Sequence, residues 1–147
     1  MRRVAAALVG ILGLLVAACG GGGGERLSKA EFTTQANAIC GKYEKQLKAL
    51  DAPTSLEEVP DLVDKALAIL NKEVDEISDL NPPEELEDQF DALIEQTNNT
   101  KAAADDLADA AKANDEDAVQ QALDEGNAAS TRADQIAGQL GLDACKG

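Results

Sequence analysis

Beyond residue 27 the apolar positions recur with helical spacing in four stretches. In the first, Phe32, Ala36, Ile39, Tyr43, Leu47 and Leu50 step by 4, 3, 4, 4 and 3, which is one face of a 3.6-residue helix. Ser28 followed by Glu31 reads as a capping box at its start, with Leu27 and Phe32 at the two staple positions around it. Asp51-Ala52-Pro53-Thr54 breaks the pattern. The second stripe is Val59, Val63, Ala66, Leu70, Val74, Ile77 and Leu80, widened by Leu62 and Ile69. It starts near Thr54 or Ser55, each with Glu three residues on, and Pro60 is tolerable only in its first turn. Asn81-Pro82-Pro83 ends it.

The third stripe has the cleanest period. Leu86, Phe90, Leu93, Thr97, Thr100, Ala104, Leu107 and Ala111 alternate steps of 4 and 3, a seam for shallow-angle helix packing. It predicts a helix over about residues 82–113, with Glu84 and Glu85 in the first turn where the helix dipole favours acids. Asn114-Asp115-Glu116-Asp117 caps the fourth stretch. Its inner face is small: Val119, Ala122, Gly126, Ala129, Ala133, Ile136 and Leu140. Gly141 is placed as a C-terminal stop with Leu142 as its hydrophobic contact. Four amphipathic helices joined by short connections predict an all-α antiparallel four-helix bundle over residues 28–147.

Composition makes that core thin. From Ser28 to Gly147 there are 25 large apolar residues in 120, with two Phe, one Tyr and no Trp. Alanine supplies much of the remaining hydrophobicity, close to the composition at which acidic chains stay unfolded. After Gly24 there are 11 basic and 28 acidic residues, a net charge of −17. Such a surface repels phosphate backbones, so nucleic acid is excluded as a partner.

The first 24 residues are different in kind. Arg2 and Arg3 are their only charges, and Val4 to Ala18 is an uncharged apolar run of 15 residues. As a helix it would span about 22 Å, short of the ~30 Å hydrocarbon core of a bilayer. That is signal-peptide length, with small residues before Cys19. Val16-Ala17-Ala18-Cys19 resembles the lipobox of bacterial prolipoproteins. The resemblance implies a leader over residues 1–18, cleavage before Cys19 and a diacylglycerol on its sulfur. Each acyl methylene buried in lipid contributes about 0.8 kcal/mol, and two or three chains give a stable anchor. Residues 19–27 then read as the lipidated Cys and a flexible linker, since Gly20 to Gly24 cannot hold regular structure. From Gly20 to Leu27 the linker would reach roughly 15 Å. The expected location is the extracytoplasmic face of the cell membrane.

Lipidation also settles the cysteine count. With Cys19 in the anchor, Cys40 and Cys145 remain, both outside the cytosol, where disulfides persist. Pairing them would close a long loop and stabilise by about 4.7 kcal/mol in the chain-entropy model. Two free buried thiols are the alternative. Expected helix lengths of roughly 48 Å and 39 Å leave the fourth helix about 9 Å short of the bundle base. An extended tail from Leu142 to Cys145, reaching about 13 Å, would bridge that distance toward Cys40. A second resemblance covers most of residues 28–145. Ala36-Asn37-Ala38-Ile39-Cys40, Leu80-Asn81-Pro82-Pro83-Glu84-Glu85-Leu86 and Gly141-Leu142-Asp143-Ala144-Cys145 are similar to segments of small lipoproteins of high-GC Gram-positive bacteria. Those segments are structural and bring no catalytic residue with them.

Chemistry is sparse. The chain has no His, so the commonest general base, any Ser-His or Cys-His pair and the Glu-x-x-His ligands of di-iron bundles are missing. Two thiols without His do not make a zinc site. No catalytic residue, metal or cofactor is expected. Thr97 and Thr100 on the third seam, beside Ala104 and opposite Gly126, have two readings. Small residues let helices approach closely, with the hydroxyls bonded back to their own helix. The same residues would otherwise line a slot for a small apolar ligand, or dock a partner helix. The expected role is therefore a lipid-anchored envelope module that binds or scaffolds an envelope protein, or carries a small apolar ligand.

Overall fold

The computed structural model describes residues 25–147. The expected leader, Cys19 and the glycines up to Gly24 lie outside the described residues. Four helices carry the fold: α1 (Lys29–Leu47), α2 (Val59–Ser78), α3 (Glu87–Ala113) and α4 (Glu116–Leu140). Single 3₁₀ turns sit at Leu56–Glu58, Glu84–Leu86 and Asp143–Cys145. There is no strand among the described residues, and the helices pack as a bundle.

Each helix end has a local cause. At α1 the Ser28 Oγ accepts from the Glu31 amide at 3.3 Å, while the Ser28 amide donates to the Glu31 carboxylate at 3.0 Å. These are two of the orphan donors of a helix start satisfied reciprocally. Leu27 packs on the core, and its amide donates to the Asn81 carbonyl at 2.8 Å. Arg26 donates to the Pro82 carbonyl and pairs with Glu87 at 2.6 Å. The last residues of the expected linker thus belong to the folded body.

The expected stripe of α1 reached Leu50, but the helix stops at Leu47. The amides of Ala49 and Leu50 bond three residues back, to Gln46 and Leu47, the tightened last turn that commonly ends a helix. Thr54 then donates through its amide and hydroxyl to Glu58, at 2.7 Å and 3.0 Å. Pro60 follows at the second helical position of α2, where its missing N–H costs nothing. α3 begins at Glu87, later than the sequence pattern suggests. Pro82 and Pro83 are buried, and Pro83 is extended at ψ 149°. Proline disfavours helix in the residue before it and donates no hydrogen bond. Only a 3₁₀ turn forms before the regular helix.

Asn114 closes α3 in the left-handed region at φ 54°, and Asp115 caps α4 by accepting from the Ala118 amide at 3.1 Å. At the other end Gly141 adopts φ 76°, a conformation that penalises any Cβ. The Leu142 amide reaches back to the Ala137 carbonyl at 2.8 Å, and the Leu142 side chain is fully buried.

The core divides along the bundle. Around α1 it is large-residue packing: Phe32 meets Phe90 edge to face at 5.2 Å and 85°, among Ile77, Leu86, Leu93 and Leu140. Lys42 and the Tyr43 hydroxyl both bond Glu76, tying α1 to α2. Farther along, α3 and α4 meet through alanine. Ala103, Ala108, Ala110 and Ala111 are buried on α3, and Ala122 and Ala129 on α4. The expected seam holds at Leu86, Phe90, Leu93 and Ala111, which are buried, but Thr97, Thr100, Ala104 and Leu107 are only half-buried.

Cys40 and Cys145 form a disulfide with Cα atoms 4.9 Å apart. The route differs from the extended tail expected. With α3 at 27 residues and α4 at 25, the helices are about 40 Å and 38 Å long, and little gap remains. The tail instead coils as the 3₁₀ turn Asp143–Cys145, held by Asn37. The Asn37 Nδ2 donates to the Thr33 and Gly141 carbonyls at 2.9 Å and 3.0 Å, and its Oδ1 accepts from the Ala144 amide at 2.8 Å.

Candidate functional site

The bundle interior opens beside the C-terminal half of α1, at Cys40, Glu44 and Leu47. There a cleft of about 170 Å³ is lined by all four helices and by the tail from Ala144 to Gly147. Leu47 of α1, Leu70 and Val74 of α2, Leu93 of α3 and Ala133 of α4 supply apolar wall. The Cys40–Cys145 disulfide is part of the lining. Its position therefore depends on the same covalent link and the same Asn37 contacts that seat the tail. A depression of about 350 Å³ beneath the α1–α2 connection is larger. It is built only from that connection and the start of α2, with Asp51, Glu58, Asp61 and Lys65 around it. The cleft is the better site, because converging helices hold its walls and its surface is mainly hydrocarbon.

Two of the four residues expected to line a slot do so. Thr97 and Thr100 line the cleft; Ala104 and Gly126 do not. A methyl group built on Gly126 would lie 3.5 Å from Ala103 Cβ, so Gly126 serves the close approach of α3 and α4. Beyond Thr100 the buried face of α3 widens from Ala111 of the expected seam to take in Ala103, Ala108 and Ala110, with Ala103 turned to Gly126 of α4.

The hydroxyls behave as the packing reading requires. Thr97 Oγ1 donates to the Leu93 carbonyl at 2.9 Å, and Thr100 Oγ1 to the Gln96 carbonyl at 3.1 Å. With those protons committed, each oxygen faces any occupant as an acceptor.

Glu73 was not anticipated. It projects from α2 into the lining, and among the described residues it has no ion-pair or hydrogen-bond partner. Burial alone pushes its carboxyl up to about 7 from an ordinary 4.5, because a low-dielectric surround disfavours the charged form. The signal lay in the spacing. Glu73 stands three residues after Leu70 and four before Ile77, squarely on the apolar stripe of α2. Asn37 was also missed as a contact residue, although it sits inside the quoted Ala36-to-Cys40 segment.

The other ionisable side chains of the lining are Glu44 of α1, Asp134 of α4 and Lys146 of the tail; α3 contributes none. Each is already engaged: Glu44 with Lys48, Asp134 with the Gly147 amide at 3.1 Å, and Lys146 with Asp143 at 2.5 Å. No group of three or more acidic or cysteine side chains among the described residues is arranged to hold a metal ion. No helix among them is long and apolar enough to cross a membrane.

No protein-family model matches the chain, and no curated protein or solved structure shows significant similarity to it.

Proposed function

We propose that the chain is a lipid-anchored extracytoplasmic lipoprotein whose domain, an antiparallel four-helix bundle, binds a small and mostly apolar ligand in the cleft beside the disulfide. The observation that carries the ligand reading is the cleft itself: about 170 Å³ of space walled by all four helices. A dry cavity of roughly 150 Å³ is enough to take up benzene, so the size suits a single ring or a short hydrocarbon chain. The two-residue connection between α3 and α4 supports the antiparallel arrangement, since it leaves no length for a crossover. The anchor rests on the Val16-Ala17-Ala18-Cys19 motif at the end of a charged-then-apolar leader. A scaffolding role has less support, because the Ala and Gly faces that would dock a partner helix are packed against each other.

Two mass measurements test this reading on chain exported by its own host. The mature N-terminal peptide should begin at Cys19 and carry acyl mass; an unmodified Cys19 still preceded by Ala18 defeats the anchor. Native mass spectrometry of the same material should show one small molecule retained per chain. A bare chain that crosslinks instead to an envelope protein would favour the scaffold.

A further inference from the structure

We propose that the ligand of the cleft is a small apolar amine bound as its ammonium, with Glu73 as the counter-ion. The inference rests on the cleft being a ligand site and adds the chemical class of the ligand. It starts from the hydrogen-bonding capacity of the walls. Thr97 and Thr100 have each given their one proton to their own helix. The Lys146 ammonium is directed to Asp143. Glu73 is a carboxyl with no partner among the described residues. With Glu73 ionised, the polar lining facing the space is mainly acceptor, its side-chain donors being Ser130 and the Lys146 ammonium, one of whose three N–H groups is directed to Asp143. A ligand with a carboxylate or phosphate would meet acceptors and acids. An alcohol would satisfy one acceptor, and a plain hydrocarbon none. An ammonium on a hydrocarbon body supplies three donors and the charge that Glu73 lacks. Its body would lie against Leu70, Val74 and Leu93.

A metal ion fits less well, since no ligand cluster is present among the described residues and the walls are largely hydrocarbon. The excess of acids after Gly24, 28 against 11 basic residues, would concentrate cations near the opening.

The charged groups facing Glu73 set the pH behaviour. They are Glu44 from α1, Asp134 from α4 and Lys146 from the tail, each with its own partner as described. Glu73 is the one left to respond. Its carboxyl, held near 7 by burial, must be ionised to hold an ammonium. Amine affinity should therefore rise as pH passes upward through neutrality, while affinity for an uncharged analogue should not.

The test is a cycle of two probes and two proteins, followed by NMR shifts of Ile77, Leu93 and Thr97 in the full chain held in dodecyl maltoside micelles. Benzylamine is the cation and benzyl alcohol its neutral counterpart; Glu73→Gln keeps the side-chain size and removes the charge. Because each probe partitions equally into micelles around either protein, the ratio of affinities cancels the detergent. Glu73→Gln should weaken benzylamine about tenfold, the scale of one charge-assisted hydrogen bond, and change benzyl alcohol less than about twofold. Equal effects on both probes, or none on either, overturn the amine assignment while the cleft remains a site. If neither probe moves the cleft signals of the wild-type chain, the cleft reading falls as well. A pH titration of wild type from 5 to 8 needs no variant: flat benzylamine affinity also overturns the assignment.

Discussion

At the residue scale, Glu73 is an acid placed where hydrocarbon would pack better. Its carboxyl titrates near 7 in the fold and near 4.5 when exposed, so the native state holds the proton more tightly than the unfolded chain. The stabilisation this linkage gives is fully present below pH ~4.5 and is lost as pH rises toward 7. Glu73→Gln removes the titration. Relative to wild type, the variant should gain stability as pH rises through that window. The gain should reach on the order of 1 kcal/mol above pH 7, after discounting for screening through the open side of the cleft. Urea denaturation of both proteins between pH 4.5 and 8 measures it, and a difference that does not change with pH would contradict the burial of this carboxyl. Asn37 is the complementary case, a polar side chain whose amide nitrogen and oxygen are all used, on Thr33, Gly141 and Ala144.

At the scale of elements, what could be read from sequence was whatever is decided locally. The Ser28–Glu31 box and the Gly141–Leu142 stop each depend on a few neighbouring residues, and both occur in the structure. The start of α3 depends on two successive prolines being buried with Pro83 extended, which apolar spacing does not encode. The facing surfaces of α3 and α4 were the least legible. When most candidates are alanine, size gives no cue to which row faces the partner, and α4 covers Ala103 and Ala110 as well as Ala111 while Ala104 is only half-buried. The cleft was half legible for the same reason: Thr97 and Thr100 line it, whereas Gly126 lies where α4 packs closely on Ala103. Gly126 also yields a prediction. It lies inside α4, and a methyl group there would make an ordinary contact with Ala103 at 3.5 Å. Gly126→Ala should stabilise the protein by about 0.5–1 kcal/mol through helix propensity, whereas a ligand wall at this position would be expected to lose binding instead. Thermal unfolding and the benzylamine titration on the same variant separate the two outcomes.

At the scale of the whole molecule, the disulfide compensates for the thin core. It joins positions 105 apart, so the unfolded chain loses most of its freedom when the bond is present. Cys40→Ala with Cys145→Ala should cost about 3–5 kcal/mol, a large share of the 5–15 kcal/mol typical of a domain. The urea midpoint of the double variant reads this directly, and a shift of less than about 1 kcal/mol would mean that the alanine and phenylalanine packing suffices. The bond also lines the cleft, so its loss should weaken ligand uptake as well as stability.

The same bond changes what a cut in the chain would do. Asp51 to Ser55 lie exposed between α1 and α2, the kind of stretch a protease would reach first. Both sulfurs straddle that stretch, one on each side. A molecule clipped there would keep its two fragments in a single covalent object, separable only by a reductant. If Cys19 carries acyl chains, the downstream fragment would stay tethered to the cell through its partner rather than diffuse away.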